Sequence, residues 1–180
     1  MYCGSNKTAL CSQKQVSDAM LKLLETKKFE DISICELCKA SGISRQTFYT
    51  LFSSKENVIV FTLQSKYCCS DQVSQECSIE QLCGEYACYI TCNKDFLKTL
   101  VDNDIIYLLY DSIYETSTEC DGTCDCTCEI TKQEKKYIAH FLAGGITGIV
   151  KAYCLDGCRT TRDELNAILY KLFSGHIYDS

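Results

Sequence analysis

Apolar and polar positions along the chain follow a helical period almost from end to end. Val16, Ala19, Met20, Leu23 and Leu24 recur three and four residues apart, which predicts an amphipathic helix with one buried stripe. Ser12, with Gln15 three residues on, predicts its start, so residues 1–11 read as a mobile tail. Lys27 and Lys28 fall in its last turn, where cations suit the helix dipole. Further on, the period predicts helices over Ile79–Cys92 and Lys94–Val101. A third runs through Ile105, Ile106, Leu108, Leu109 and Ile113, with Tyr107, Tyr110 and Tyr114 interleaved. Residues 116–131 are polar and read as a loop. Tyr137–Leu155 is a long apolar helix ended by Gly157, and Arg162–Phe173 is the last. No stretch alternates with the period of a strand and no segment repeats, so the fold class is all-α.

Three helix starts crowd between Ser33 and Leu63. Ser33 with Glu36, and Ser53 with Glu56, have capping-box spacing: the Ser oxygen accepts from the third amide and the Glu reaches back to the cap. Gly42 between them suits the left-handed conformation that closes a helix. Ser44 then caps a short helix, Arg45 to Leu51. Two short helices joined by a tight glycine turn form a helix-turn-helix pattern. A following helix from Ser54 is expected to run to about Gln75 and to link a head to a body. Leu37, Cys38, Ile43, Phe48 and Phe52 are the expected core of that head.

At these residues the chain resembles the tetracycline-repressor (TetR) family of transcription regulators. Phe29, Ile32, Ser33, Leu37, Cys38, Ala40, Gly42, Ile43, Ser44, Thr47, Phe48, Tyr49, Phe52, Lys55 and Glu56 carry the resemblance, over roughly the first third of the chain. One position departs. Family members often have His or Tyr just before the Phe, touching phosphate, and here Leu51 stands there. The resemblance implies a three-helix DNA-binding head over residues 12–60 and a helical ligand-binding and dimerisation body over residues 61–180.

The residues themselves suggest how DNA would be read. Gln46, Thr47 and Tyr49 lie on the exposed side of the short helix, while Phe48 and Phe52 turn inward. Arg bonds guanine and Gln bonds adenine in the major groove, so Arg45 and Gln46 are the expected base readers. Tyr49 offers a hydroxyl to phosphate. Ser33, Ser44 and Lys55 stand at helix starts, where free amides attract anions.

The glycine-rich stretch Phe141–Tyr153 holds Gly144, Gly145 and Gly148. Interior glycine costs about 1 kcal/mol against alanine, so a reason is needed, and close helix approach is one. The stretch resembles the penultimate helix of family members that pairs with its symmetry mate. With Leu165, Ile168 and Leu169 of the last helix it would form a four-helix homodimer interface; tight packing inside the monomer is the other reading. The family also implies an effector pocket among the middle helices. The aromatic residues there are Tyr86, Tyr89, Phe96, Tyr107, Tyr110 and Tyr114, of which Tyr86, Phe96, Tyr107 and Tyr110 are taken as the candidate lining.

Composition changes this picture in three places. The net charge is −6, but residues 1–66 hold nine Lys and Arg against six Asp and Glu, so a mildly basic head sits on an acidic body. Sixteen cysteines would suggest a disulfide scaffold in a short exported chain. The N-terminus has no apolar core of signal-peptide length and no run reaches the roughly 18 uninterrupted apolar residues of a membrane helix, so the expectation is a cytoplasmic protein with no membrane partner. Cys120, Cys124, Cys126 and Cys128 cluster with four carboxylates and offer soft ligands, though not at a familiar zinc spacing.

No nucleophile–base pattern, P-loop or dinucleotide fingerprint is found, so no enzyme activity and no cofactor are expected. The reading is a DNA-binding homodimeric repressor that meets a double-stranded operator and an unknown small-molecule effector. Two alternatives stay open: a metal- or thiol-responsive regulator sensing through the cysteine loop, and an interaction protein or co-activator with weakened DNA binding.

Overall fold

The computed structural model describes residues 6–67, 78–119 and 131–175. Every regular element among them is helical: α1 (Lys7–Leu24), a 3-10 turn (Phe29–Asp31), α2 (Ile34–Ser41), α3 (Arg45–Leu51), α4 (Lys55–Lys66), α5 (Ile79–Cys92), α6 (Lys94–Asp102), α7 (Tyr107–Glu119), α8 (Lys132–Leu155) and α9 (Arg162–Ser174). The all-α expectation holds.

The head is built on α1. Its stripe of Val16, Met20 and Leu24 is buried, and Gln13 and Ser17 share that face. It packs against α2 and α4. α2 stops at Gly42, whose φ of 72° is open to a residue without Cβ, and the Ile43 amide closes the turn on the Cys38 carbonyl. α3 then starts at once, because Ser44 Oγ accepts from the Thr47 amide at 3.0 Å. Phe48 and Phe52 are wholly buried with Leu37 and Ile32, as their inward positions predict. Burying one such ring contributes about 1.5–3 kcal/mol.

Several starts differ from the sequence expectation. α1 begins at Lys7, capped by Asn6, so residues 7–11 of the supposed tail are helix and Ser12 lies inside it. Asn is as good a cap as Ser, and the earlier one adds a turn of backbone hydrogen bonds. Ser33 does cap α2, but Glu36 turns to Lys27 at 2.5 Å instead of back to the cap. α4 is capped by Ser54, which accepts from Asn57, and not by Ser53 with Glu56. α4 ends at Lys66, and the continuation expected to Gln75 falls outside the described residues.

In the body α7 packs against α4 and α8, α6 against α8, and α9 against α5. α7 continues through Glu119, so residues 116–119, expected at the start of the polar loop, are helical. α8 begins at Lys132, five residues before the expected Tyr137, because Thr131 and Glu134 form a complete capping box. Thr161 and Glu164 do the same for α9. α8 is long and apolar enough to cross a membrane by length and composition alone. One of its faces is laid on α6 and α7, and 33% of its most apolar stretch is buried there.

Hydrogen bonds tie the head to the body. The Phe29 amide donates to Asn103 Oδ1 at 2.7 Å, joining the 3-10 turn to the end of α6. Ser17 and Thr62 share a buried hydrogen bond of 2.7 Å between α1 and α4.

Candidate functional site

α3 has seven residues, and its two sides differ completely. Phe48 and Leu51 are buried, while Arg45, Gln46, Tyr49 and Thr50 are exposed and Thr47 is half-buried. Tyr49 is held by its neighbour, with the Phe48 ring edge-on at 5.6 Å. Its ring is therefore presented outward on a fixed base. Thr50 Oγ1 donates to the Gln46 carbonyl and Ser44 Oγ to or from Thr47 Oγ1, so both threonine hydroxyls turn back to the helix. Arg45, Gln46 and Tyr49 remain as the outward polar groups. Leu51, where the family often carries a phosphate contact, is buried, so that position serves the core.

Asn6, Thr8 and Ser12 of the first helix line a shallow polar groove with Gln46, Thr47 and Thr50. The sequence reading missed this edge because it assigned those residues to a tail or to a cap. The Asn6–Thr8 cap, an amide to Oδ1 bond of 3.0 Å, was the available signal.

Lys55 differs from its expected role. Its ammonium donates to the carbonyls of Phe29 at 2.6 Å, Glu30 at 3.1 Å and Ile32 at 3.1 Å. It also lies 4.5 Å over the Phe29 ring. All three donors are used inside the head, so its side chain is a strut between α4 and the 3-10 turn. Ser33 is exposed at the start of α2, which it caps.

The body contains a cavity of about 310 Å³ between α4, α5, α7 and α8. Of the four expected lining residues only Tyr86 reaches it. Phe96 is buried elsewhere, with the Lys66 ammonium 5.5 Å over its ring. Tyr107 is half exposed at 50%, and Tyr110 shares a hydrogen bond with His140 Nδ1 beside the stacked Tyr114 ring. Tyr67 and Tyr89 line the cavity instead. A tyrosine row at helical spacing could not tell which rings face the gap.

The glycines of α8 also answer a question. Among the described residues, a Cβ built on Gly145 or Gly148 would meet nothing within 4 Å, and one on Gly144 would meet only the Tyr110 ring at 3.9 Å. Close packing inside the monomer is therefore not their reason. They lie on the uncovered face of α8 with Tyr137, Phe141 and Leu155, which are 65%, 66% and 70% exposed. On α9, Ile168 is exposed, but Leu165 and Leu169 are buried in the core. These two expected interface residues are thus core residues, since α9 spends that stripe on α5.

Cys120, Cys124, Cys126 and Cys128 lie outside the described residues. Among the described residues no three His, Cys, Asp or Glu side chains gather as a metal site. Burial and the neighbouring Cys158 push the Cys154 thiol up to about 12. Such a thiol is neutral and unreactive at ordinary pH.

An exposed polar recognition helix backed by buried aromatics, on an all-helical body, defines a DNA-binding transcription regulator. Residues 78–175, just over half the chain, match the TetR-type model described as a transcriptional regulator C-terminal region. The chain belongs to the TetR family of transcriptional regulators. It is also similar to the HTH-type transcriptional regulator EthR of Mycolicibacterium smegmatis, 59% identical over 39 residues. That match spans 22% of this chain and 18% of the relative's length. The dihydroxyacetone kinase operon activator DhaS has the same fold, with a TM-score of 0.56 over 93% of this chain and 97% of its own, at 17% identity.

Proposed function

We propose that the chain binds a double-stranded operator as a homodimer and is released by a small molecule held in the body, acting as a cytoplasmic repressor. The outward set of Arg45, Gln46 and Tyr49, braced by the buried Phe48, carries this reading. Arg45 and Gln46 read base edges, Tyr49 meets phosphate, and the starts of α2 and α4 add backbone amides. The uncovered face of α8, with Gly144, Gly145, Gly148 and the exposed Ile168 of α9, pairs with its symmetry mate. Glycine there lets two helices approach backbone to backbone. The pairing sets two recognition helices about 34 Å apart, one turn of DNA.

Selection of bound duplexes from a random pool tests the reading. The expected product is a palindrome with half-sites one helical turn apart, and Gln46→Ala relaxes one position per half-site at a cost of roughly 1–3 kcal/mol. A pool with no enriched sequence refutes operator binding. A reporter behind the selected site gives the polarity. Activation, the role for which the structural neighbour DhaS is named, is the other outcome.

A further inference from the structure

The body cavity has a chemistry that selects its occupant. Tyr67, Tyr86, Tyr89, Leu109, Ile113 and Ile146 supply its aromatic and aliphatic walls. The Tyr67 ring stands edge-on to Tyr89 at 5.3 Å and tilted to Tyr86 at 6.2 Å, so three rings form one side. No Asp, Glu, Lys, Arg or His lines the cavity among the described residues. An ion placed there would lose its water and gain no counter-charge.

The polar part is small and specific. Ser112 is 6% exposed and puts a hydroxyl-bearing side chain in the cavity wall. A hydroxyl set in an otherwise apolar wall gives a ligand one point for a directed hydrogen bond. The neighbouring Thr116 hydroxyl is already given to the Ser112 carbonyl at 2.8 Å. Gln64 and Ser117 add an amide and a second hydroxyl at the wall. The cavity of about 310 Å³ has room for about ten groups of water size.

We infer that this cavity takes an uncharged, mainly apolar molecule of about ten non-hydrogen atoms, flat enough to lie on the tyrosine wall and carrying one hydroxyl or carbonyl that bonds Ser112. The inference rests on the effector reading above and names the chemical class of that effector. Leu63, Gln64 and Tyr67 belong to the end of α4, and Lys55 ties the start of α4 to the head. A ligand of this class therefore touches the helix that carries the DNA-binding unit, at a distance of about 18 Å for its twelve residues.

The test uses the full chain and two probes of similar size and opposite charge state, 2-naphthol and 2-naphthoate, at pH 7. The chain has no Trp, so naphthyl fluorescence is read without an overlapping indole signal. The expected result is saturable binding of one 2-naphthol per chain and at least tenfold weaker binding of 2-naphthoate. Ser112→Ala should weaken 2-naphthol about fivefold at an unchanged melting temperature, the loss of one hydrogen bond. Ile146→Phe, which narrows the cavity, should weaken it further. Equal binding of the two probes overturns the inference, as does the absence of saturable 2-naphthol binding. So does 2-naphthol binding that neither variant changes. An operator titration with 2-naphthol present tests the other reading separately. Selective binding with no change in operator affinity supports the ligand class and counts against the effector role.

Discussion

Lys55 is the residue whose expected and observed roles differ most, and a single substitution separates them. Lys55→Met keeps the aliphatic stem and removes the ammonium. In the structure that ammonium donates to three carbonyls, at 2.6, 3.1 and 3.1 Å, and covers the Phe29 ring. One hydrogen bond from a charged group is worth about 1.5–3 kcal/mol. The three share one donor group and do not add, and water can replace it at the exposed Glu30 carbonyl. The expected loss is therefore about 2–3 kcal/mol, or a fall of roughly 4–12 °C in melting temperature for a chain of this size. A phosphate contact would behave otherwise. Its loss would leave stability nearly intact and lower the slope of log affinity against log salt by about one. Circular-dichroism melts, with operator titrations between 50 and 200 mM salt, measure both quantities. A variant that melts with wild type yet loses one unit of salt slope would refute the strut.

Three further outcomes follow from other parts of the molecule. Phe141→Asp on the open face of α8 should convert the dimer into monomers without lowering helix content, as read by sedimentation at micromolar concentration; an unchanged dimer sinks the assigned interface. Hydrogen bonds from Thr131 and Thr161 hold the Glu134 and Glu164 carboxyls below their ordinary value of 4.5. The stability they contribute is present above about 4.5 and lost as pH falls through the lower folded value, so Glu164→Gln should flatten the acid limb of the stability curve. Iodoacetamide at pH 8 should label the exposed Cys11, Cys35 and Cys92 well before the buried Cys83 and Cys154, because burial raises both buried thiols; mass spectrometry of the peptides gives the order.

What the sequence by itself determined is local. The period of apolar residues gave the helices, and Ser44, Gly42 and Gly157 gave ends that depend only on nearby backbone groups. The inward turn of Phe48 and Phe52 was legible for the same reason, since both follow from helical spacing. Where two caps competed, sequence could not choose. The structure takes Asn6 over Ser12 and Ser54 over Ser53. Only the tertiary structure decided what each functional side chain meets. Lys55 looked like a surface cation until the 3-10 turn folded three carbonyls onto it. Leu165 and Leu169 shared a stripe with other apolar residues, and α5 took them for the core, leaving Ile168 outside. Tyr86 and Tyr110 had equal claims to the cavity, but the first faces a gap between four helices and the second meets His140. Helical period gives a side chain its angle around its own axis; which neighbour occupies that angle is set by contacts far apart in the chain.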